Sequence, residues 1–578
     1  MDTAVGGEEI WVANGIYTDV HNHMGLHQIV YLDKVLTIQG GYAVPFEEPP
    51  DPVAHPTLLD ARHEGRVAYI TGATVKLIGL QLTGGNATGP EVTASNNKGG
   101  GVYGVNASVT MSQNIVFSNT AGTDVWGGMG GGLAFEQSVV TLTNSTIEDN
   151  LASQQEIGSG GGLFMTDSRL LLVDSQILRN TALITASTDH CWGEGGGIAL
   201  YNSSGQLNHN VIDGNVALEH GGIGWGGGIA VSHDHNHDNL LLHDNQIRNN
   251  IALVQSYSGI ECVSAGHAGG IAFATHGMNN TLAVTMTQNL IWHNTAAITA
   301  NIGIAGGVLA VVNDVFLPST ITLTFENNQV QENLALAHGL DQYLSMGGGL
   351  AIHNVAAYLE GNNFISNKAA DASAVYFGEG QIIEQNDIVR QNISDDYLSA
   401  NSMVFHKATA DLINVVVTDN QAKTAALKLW SSHVNLLHPT IARNFSDSAI
   451  YLADIDLYSD GVPSNLTITN AIIVSHPVGI TVTDYNTVTV DGVLWHGKPL
   501  TISYGPLAQV TIYHEVIGDP LFASDGYHIL PGSAAIGQGI PVGNIPDIDG
   551  EPRLPLPALG ADEYWLGHWY LPMVKRTL

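Results

Sequence analysis

The sequence predicts an all-β protein whose strands stack into a solenoid. Three observations carry this prediction: a GGG motif that recurs along the chain, short apolar patches after each copy, and an asparagine twenty residues after the first glycine. Self-similarity at periods of roughly 20 to 50 residues is typical of solenoids, in which each repeat contacts only its neighbours. We expect about fourteen rungs, a rod on the order of 65 Å long at the strand spacing of a β-sheet.

The most regular copies of the motif define the rung. They lie at 99–119, 130–150, 160–180 and 195–215, and degenerate copies begin at Gly226, Ala268, Ala305 and Gly347. In 130–150 the apolar positions that alternate along the chain, as half-buried strands require, are Leu133, Phe135, Val140, Leu142 and Ile147. Three such strands separated by turns make one triangular rung of a parallel β-helix. Left-handed hexapeptide helices repeat strictly every six residues, and because that period is absent we expect a right-handed parallel β-helix.

The recurring asparagine predicts a ladder of side chains at one corner of the rod. The series is Asn119, Asn150, Asn180, Asn215, Asn250, Asn294, Asn333 and Asn367, continued by Asn392, Asn420 and Asn444. A side-chain amide carries both a donor and an acceptor, so stacked amides can bond to one another and to the turn backbone. The glycines predict positive φ or close backbone approach where the chain returns to the sheet. A phosphate-binding loop is the alternative, but neither a helix nor a Lys-Ser/Thr pair follows them.

Two sets of motifs resemble known proteins. "GGEEIWVANGIYTDV", "VLTIQGGY" and the GGG repeats resemble the secreted bacterial right-handed parallel β-helix proteins, and "DPLF", "YHILPGSAAIGQG", "DIDGEPR" and "GADEY" resemble the C-terminal blocks of choice-of-anchor Q domain proteins. The resemblance implies export and a cell-surface or extracellular location. It implies no defined reaction, because this scaffold hosts lyases, glycosidases, epimerases and adhesins. We divide the chain into N-terminal strands and cap (1–66), rungs with long loops on one face (67–515) and a C-terminal anchor-type segment (516–578).

The ends of the chain carry few targeting signals. The first strand pattern starts close to Met1 and no signal peptide is present, so we expect the natural N terminus to lie further upstream. No stretch reaches the roughly 18 apolar residues that a membrane span needs. No hydrophobic segment follows "WYLPMVKRTL", so a standard sortase or membrane anchor is not expected.

The charge of the chain narrows the class of partner. Lys plus Arg number 18 and Asp plus Glu 53, which gives a net charge of −35. Such a surface repels nucleic acid and polyanionic glycans, and no local basic patch offsets it. Polyuronate lyases use Lys or Arg to neutralise the uronate, so a neutral polysaccharide fits better. An acidic surface also suits any exported rod, whatever it binds, and we expect a monomer.

The loops between rungs differ in length, which suggests a binding face. From asparagine to the next glycine the chain takes 11 residues after Asn119, 10 after Asn150, 15 after Asn180 and 18 after Asn250. All these loops leave one corner and can wall a groove, and insertions on one face of a solenoid often mark the binding face. Flat aromatic faces on which sugar rings can stack come from Trp126, Trp192, Trp225, Tyr257 and Tyr343.

Carboxylates in the same loops suggest glycoside hydrolysis, which needs a carboxylic acid and a carboxylate about 5 to 9.5 Å apart. The residues directly before the glycine runs form a ladder in which Glu194, Trp225 and His267 are neighbours. We expect Glu194 to be the general acid, with its pKa raised by the Trp225 ring. We expect Asp189 or Glu261 to be the second carboxylate, and His267 to orient either of them or a substrate hydroxyl. Two further carboxylates expected to contact the substrate are Glu156 and Glu219.

A histidine-rich run, "SHDHNHD" at 232–238, is a candidate metal site. Imidazoles on neighbouring rungs, together with Asp234 and Asp238, have the ligand chemistry of a divalent transition metal. The candidate ligands are His233, His235, His237 and His276. A polar loop without metal is the alternative, and the predicted hydrolysis requires no cofactor.

The two cysteines, Cys191 and Cys262, lie in loops two rungs apart. A disulfide needs Cα atoms within roughly 7 Å, which long loops could supply. A bridge and two separate thiols therefore both remain open.

Together these patterns predict a secreted carbohydrate-active protein. We expect a glycoside hydrolase that cleaves a neutral polysaccharide in a groove walled by the loops of the rungs in 120–346. The rival prediction is a non-catalytic cell-surface adhesin or structural spacer.

Overall fold

A computed structural model of the chain describes residues 3–23, 25–46, 48–88, 97–122, 127–186, 192–234, 237–256, 264–277, 279–312, 319–335, 345–395, 400–453, 462–497 and 500–565. These residues form strands and turns that coil into a parallel β-helix, as predicted. No helix in this part of the chain is long and apolar enough to cross a membrane.

Three parallel sheets, formed by equivalent strands of successive rungs, enclose the core. Sheet 1 contains Leu26–Leu32, Arg66–Thr71, Val102–Val105, Leu133–Glu136, Leu163–Thr166, Ile198–Tyr201, Ile229–His233, Ile271–Thr275, Val308–Val312, Ala425–Trp430, Ser448–Leu452, Val478–Val482 and Leu500–Tyr504. Sheet 2 contains Glu8–Ala13, Leu36–Tyr42, Thr74–Ile78, Ser108–Ser112, Val139–Thr143, Arg169–Val173, Ser204–Asn208, His237–His243, Thr281–Thr287, Thr320–Glu326, His433–Leu437 and Gln509–Ile512. Sheet 3 contains Gly15–Tyr17, Thr57–Asp60, Leu80–Thr83, Ile115–Phe117, Thr146–Glu148, Gln176–Leu178, Val211–Asp213, Gln246–Arg248, Leu290–Trp292, Gln329–Gln331, Asn363–Ile365, Ile388–Arg390, Val416–Thr418, Thr440–Ala442 and Glu515–Ile517.

Longer strands bridge neighbouring sheets near the C-terminal end. Leu350–Glu360, Val375–Gln385 and Asn401–Ile413 run from sheet 1 into sheet 2, and Asn465–Val474 and Thr487–His496 run from sheet 2 into sheet 3. At the other end, His21–His23 pairs antiparallel with the first strand of sheet 1.

Two further sheets extend the rung beyond the predicted three strands. Sheet 4 contains Thr120–Gly122, Leu151–Gln155, Thr181–Thr185, Val216–His220, Ile251–Gln255, Thr295–Thr299, Leu334–Ala335, Lys368–Ala369, Ile393–Ser394 and Gln421–Ala422. Sheet 5 contains Gly128–Met129, Gly158–Ser159, Trp192–Glu194, Ile223–Trp225, Ala265–His267, Ile302–Ile304 and Ser345–Met346. The prediction that these segments are projecting loops was wrong for the residues in these strands. In the rungs between residues 120 and 346 the chain runs out through a strand of sheet 4 and back through a strand of sheet 5.

The apolar positions of the motif fill the interior as predicted. Leu133, Phe135 and Leu142 have no solvent exposure, and Val140 and Ile147 have 1%. The largest enclosed side chains are phenylalanines, which are Phe135, Phe273, Phe325, Phe364, Phe377 and Phe405. The core is therefore one continuous stack along the rod, in which each layer packs on the next.

The asparagine ladder is confirmed at the corner between sheets 3 and 4. The Asn150 amide Nδ2 donates to Asn180 Oδ1 at 3.0 Å and to the Val116 carbonyl at 2.9 Å. The Asn150 backbone N–H donates to the same Asn180 oxygen at 3.1 Å. A second ladder, which was not predicted, lies at the corner between sheets 2 and 3. Its residues are Asn114, Ser145, Ser175, Asn210, Asn245, Asn289, Asn328, Asn362 and Asp387.

We predict that Asn180→Ala lowers the free energy of unfolding by about 1–3 kcal/mol, because it leaves buried groups of two rungs without partners. Asn180 accepts two bonds from Asn150 and donates to the Ile147 carbonyl at 2.9 Å. Denaturant titration measures the effect. Asn208→Ala, on the outer face of sheet 2, is the matched control and should change stability little. Equal melting curves for both variants would contradict a structural role for the ladder.

Glycine is required at each of the three positions of a GGG motif for a different structural reason, as residues 195–197 illustrate. Gly195 has φ of 58°, in the left-handed region that favours glycine. A Cβ on Gly196 would clash with backbone of the next rung, and a Cβ on Gly197 would lie 3.1 Å from the Asn215 amide. The glycines thus allow the turn and the close approach that the sequence predicted.

A fourth recurring glycine, two residues before the motif, joins sheet 5 to sheet 4. A Cβ on Gly193 would lie inside van der Waals contact with the Ala217 carbonyl oxygen, one rung further along. The same holds in the other rungs for Gly128, Gly158, Gly224 and Gly266. Between the two sheets lies a small apolar cluster of Leu183, Ala186, Leu218, Leu253, Ala297 and Ala300. Sheets 4 and 5 therefore pack backbone against backbone.

We predict that Gly193→Ala destabilises this contact by about 1–3 kcal/mol, the usual cost of overpacking. Hydrogen exchange at sheets 4 and 5 should rise more than exchange in the core. Gly205→Ala is the control, because a Cβ there would lie 3.2 Å from the nearest atom, the Leu170 carbonyl oxygen. If sheet 5 is equally protected from hydrogen exchange in both variants, Gly193 does not hold sheets 4 and 5 together.

The C-terminal segment folds back along the outside of sheet 3. Asn470 bonds to the backbone of Ile540 through both Nδ2, at 2.8 Å, and Oδ1, at 2.7 Å. The Ala561 N–H donates to Thr440 Oγ1 at 2.9 Å. Apolar contact is made by the cluster Ala442, Ile472, Val474, Leu494, Ile529, Ala535, Ala558 and Leu559. The end of the described chain is thereby fixed to the side of the rod.

Candidate functional site

A groove of 740 Å³ follows the outer face of sheet 1, beside sheet 5. Its floor is the outward row of sheet 1, in which Phe164, Ala199, Ala230 and Ala272 are in register. The small alanine side chains leave space above the sheet. One wall is sheet 5, and the other is the next outward row of sheet 1, with Tyr201, Ser232 and Ala274.

The sheet 5 wall presents the predicted ladder of residues that precede the glycine runs. The register is Met129, Ser159, Glu194, Trp225, His267, Ile304 and Met346. The glycine before each of these residues lies against sheet 4 in the described rungs from 128 to 266. Because side chains alternate across a strand, the ladder residues point away from sheet 4, towards the groove. The predicted adjacency of Glu194, Trp225 and His267 is confirmed.

Glu194 is a carboxyl group largely removed from water. It lies between Ser159 and Trp225 in sheet 5 and lines the groove. Burial raises the pKa of Glu194, since the surroundings disfavour the charged form. A raised pKa favours the protonated carboxyl form that a general acid needs.

Trp225 and His267 form a stacked pair next to Glu194. Their ring centroids are 4.6 Å apart and their planes are inclined by 11°. Burial lowers the pKa of His267 to about 4, so the imidazole is neutral at physiological pH. A neutral imidazole can donate one hydrogen bond and accept one. His267 therefore contributes hydrogen bonding and surface rather than charge.

A second carboxylate of the groove, Asp234, was missing from the predicted catalytic set. Its Oδ2 accepts a hydrogen bond from Tyr201 Oη, and its Oδ1 accepts one from Asn202 Nδ2 at 2.7 Å. Burial raises the pKa of Tyr201, and the hydrogen bond to Asp234 and the charges of Asp234 and Glu194 add to the shift. The sequence signal was present, since Asp234 follows a sheet 1 strand, but the histidines around it favoured a metal interpretation.

The other predicted site residues lie in several places. Trp192 lines the groove with 42% of its surface exposed. Glu156 lies in the turn between sheets 4 and 5, and Glu219 lies in sheet 4, and neither is among the described residues that line the groove. The predicted residues outside the described part of the chain are Trp126, Asp189, Tyr257, Glu261 and Tyr343, together with Cys191 and Cys262.

The described histidines of the candidate metal site occupy different environments. His233 is fully buried, with Nε2 at 3.0 Å from Asp238 Oδ2. His237 is exposed and contacts Thr281 Oγ1, and His276 is exposed at the rim of the groove. His235 lies outside the described residues, so a metal site here stays a prediction. Within the described residues, three potential ligands with atoms inside 4.8 Å of one another occur in the C-terminal segment, at His528, Asp549 and Asp562.

Comparison with known proteins supports the fold. Residues 79–301 match the family described as right handed beta helix region. No curated protein sequence matches the chain. Similar solved structures include the periplasmic alginate epimerase AlgG, at 8% identity and a TM-score of 0.30 over 78% of this chain and 79% of that chain. A mutant of the PL6 family alginate lyase AlyGC shows 9% identity and a TM-score of 0.16 over 89% and 98%. The strand topology and the match over residues 79–301 show that the chain has the fold of a right-handed parallel β-helix.

Proposed function

We propose that the chain is a carbohydrate-active protein that hydrolyses a neutral polysaccharide in the groove. The observation that carries this proposal is Glu194, a carboxyl group with a raised pKa that lines the groove beside Trp225, with Trp192 in the same lining. Trp192 and Trp225 offer apolar faces for sugar rings, and the polar edges of the groove offer partners for hydroxyl groups.

In the proposed reaction the two carboxyl groups have different roles. Glu194, whose pKa is raised by burial, donates a proton to the leaving oxygen of the glycosidic bond. Asp234, oriented by Tyr201 and Asn202, acts as the base that activates water or as the nucleophile. Asp189 and Glu261 remain alternatives for this second role.

The charge distribution of the groove supports a neutral substrate. Its described lining contains one cationic side chain, Lys98, which forms an ion pair with Glu136, and two carboxylates, Glu194 and Asp234. An anionic glycan would meet unfavourable charge here and across a chain of net charge −35. The same charge argues against nucleic acid as a partner. We also propose that the protein is exported to the cell surface or periplasm and is a monomer. Residues from 516 onwards form a C-terminal anchor-type segment in this proposal.

Activity screening tests the proposal. The protein is incubated with neutral glycans (glucans, xylan, mannans and galactans) and with anionic glycans (alginate and pectate), and new reducing ends are measured. Release from a neutral glycan is expected. Affinity without release would favour the adhesin, and release from the anionic set alone would overturn the assignment of a neutral substrate.

We predict that Trp192→Ala and Trp225→Ala weaken glycan binding by about 5- to 100-fold each, because each removes a stacking surface worth about 1–3 kcal/mol. Isothermal titration calorimetry with an oligosaccharide of the cleaved glycan measures the loss. The matched control is Trp11→Ala, a tryptophan on sheet 2 that is 51% exposed. An affinity loss in the control equal to that in the groove variants would contradict the proposed site.

A further inference from the structure

The groove continues beyond the Trp225 and His267 pair into a second cavity of 290 Å³, which we call the distal pocket. Trp225 belongs to the lining of both. The pocket lies over the same two rows as the groove, with sheet 5 on one side and sheet 1 below. It is therefore an extension of the groove along the rod, reached past the tryptophan.

The lining of the distal pocket differs in chemistry from that of the groove. Ile304 and Met346 of sheet 5 face Leu309 and Ala351 of sheet 1. Its described lining contains no carboxylate, lysine or arginine, whereas the groove contains Lys98, Glu194 and Asp234. The polar side chains of the distal pocket are His267, His353 and Tyr376, and the Tyr376 hydroxyl already bonds to His406 at 2.9 Å. The His267 ring adds a neutral surface, since burial lowers its pKa to about 4.

This difference decides what can bind. A sugar ring placed in the distal pocket would lose water from its hydroxyl groups and find only His267, His353 and Tyr376 as side-chain partners, at a cost of about 1–3 kcal/mol for each hydroxyl left unpaired. An apolar group gains free energy in the same place, about 25 cal/mol for each Å² removed from water. A cavity of about 150 Å³ holds benzene, so 290 Å³ accommodates an aryl group or a short acyl chain.

We propose that the distal pocket binds an apolar substituent, an aryl or short acyl group, attached to the sugar that occupies the groove. The inference rests on the proposed function, because it takes the groove as the sugar site. It narrows the substrate class from a plain neutral glycan to one that carries an apolar substituent or aglycone.

The test compares phenyl and methyl 1-thioglycosides of glucose, xylose, mannose and galactose, which resist hydrolysis. Their binding to the full chain is measured by calorimetry, so the result does not depend on catalysis. We expect a phenyl thioglycoside to bind about tenfold or more tightly than its methyl counterpart, since ring burial contributes at least 1.4 kcal/mol. Equal affinity within every pair, or no binding of any of them, overturns the proposal.

Two variants test whether the preference for phenyl over methyl thioglycosides arises in the distal pocket. Ala351→Phe fills the distal pocket, and Met346→Ser removes part of its apolar wall without adding bulk. Either variant should reduce the ratio of phenyl to methyl thioglycoside affinity to near one, while the affinity for the methyl compound stays the same. Ile383→Ser is the control, because Ile383 is 46% exposed on the outer face of sheet 2 and should keep the full ratio. A ratio that survives both pocket variants also overturns the proposal.

The outcomes separate this inference from the proposed function. Selective binding of phenyl thioglycosides, with no reducing ends released from any polysaccharide, supports the distal pocket and contradicts hydrolysis. Release of reducing ends without a phenyl preference contradicts the distal pocket and leaves the hydrolase proposal standing.

Discussion

Glu194→Gln is expected to lower the rate of glycan hydrolysis by about 100- to 10,000-fold, the usual contribution of a general acid. The amide has the size and shape of the acid but cannot donate the proton that the leaving oxygen needs. Affinity for the glycan should change little, because Trp192 and Trp225 remain in place. Single-turnover rates and calorimetry on the same preparations measure the two quantities separately.

The pH dependence of the reaction gives a second readout. A general acid works in its protonated form, and burial raises the pKa of Glu194. The alkaline limb of the rate profile should therefore lie at higher pH than an exposed glutamate would allow. Glu219→Gln is the matched control, since Glu219 lies in sheet 4 away from the described lining of the groove, and it should leave rate and profile unchanged. Full activity in Glu194→Gln would remove Glu194 from the mechanism.

The double variant Glu384→Leu with Asp387→Asn is expected to raise the free energy of unfolding at pH 8 by about 1–4 kcal/mol, as apolar replacement of buried charged groups often does. Both side chains are fully buried inside the rod. Glu384 lies in register between Leu359 and Leu412, in an otherwise apolar stack. Asp387 occupies an asparagine position of the second corner ladder and accepts the Asn362 N–H at 2.7 Å. The double variant restores the pattern of the neighbouring rungs.

The stabilisation should depend on pH in a defined direction. Burial raises the pKa of both carboxyl groups, to about 8 for Asp387, and Glu360 adds to the shift at Asp387. A carboxyl whose pKa is higher in the folded state binds its proton more tightly there, so the folded state is most favoured at low pH. Stability is lost as the pH rises from about 4, the unfolded value, through 8. The native chain should become less stable over this range, and the double variant should lose much of the dependence.

Denaturant titrations between pH 4.5 and 8.5 measure this effect. Glu360→Gln with Asn362 left intact is a control for surface charge, because Glu360 lies on the outside of sheet 2 and is partly exposed. This variant should alter the dependence of the free energy of unfolding on pH only slightly. A native chain whose stability is flat with pH would show that the two carboxyl groups do not titrate within the rod.

The features predicted best from the sequence are those whose signal lies within a single repeat. Alternation at Leu133 and Phe135 is enough to predict a strand with one buried face. An asparagine such as Asn180, repeated at each rung, predicts a ladder because an amide can bond to an identical neighbour. These signals are visible in one copy of the motif, and the other copies reinforce them.

Contacts between distant parts of a rung were harder to predict. Each strand of sheets 4 and 5 pairs with the equivalent strand of the neighbouring rungs. The two sheets pack closely because of Gly193 and its counterparts. The recurrence of this glycine two residues before the motif is visible in the sequence, but the sequence does not show what it packs against. Asp234 belongs to the groove because Tyr201 lies one rung away, a neighbour that spacing along the chain does not indicate. The histidines beside Asp234 gave a stronger local signal, and the metal interpretation followed from it.

The glycine contacts between sheets 4 and 5 have a consequence for how such a protein can evolve. Since Gly193 and its counterparts carry the packing between sheets 4 and 5, the ladder residue beside each of them is not part of the central core. Met129, Trp225 and Ile304 instead contact small apolar clusters on the outside of sheet 1. That row can therefore accept acids, aromatics, imidazoles or aliphatic side chains at a fixed spacing without redesign of the scaffold, and the present row from Met129 to Met346 already contains all four. Selection for a new ligand needs to change only this row, and duplication of a whole rung would lengthen the recognition surface by one position.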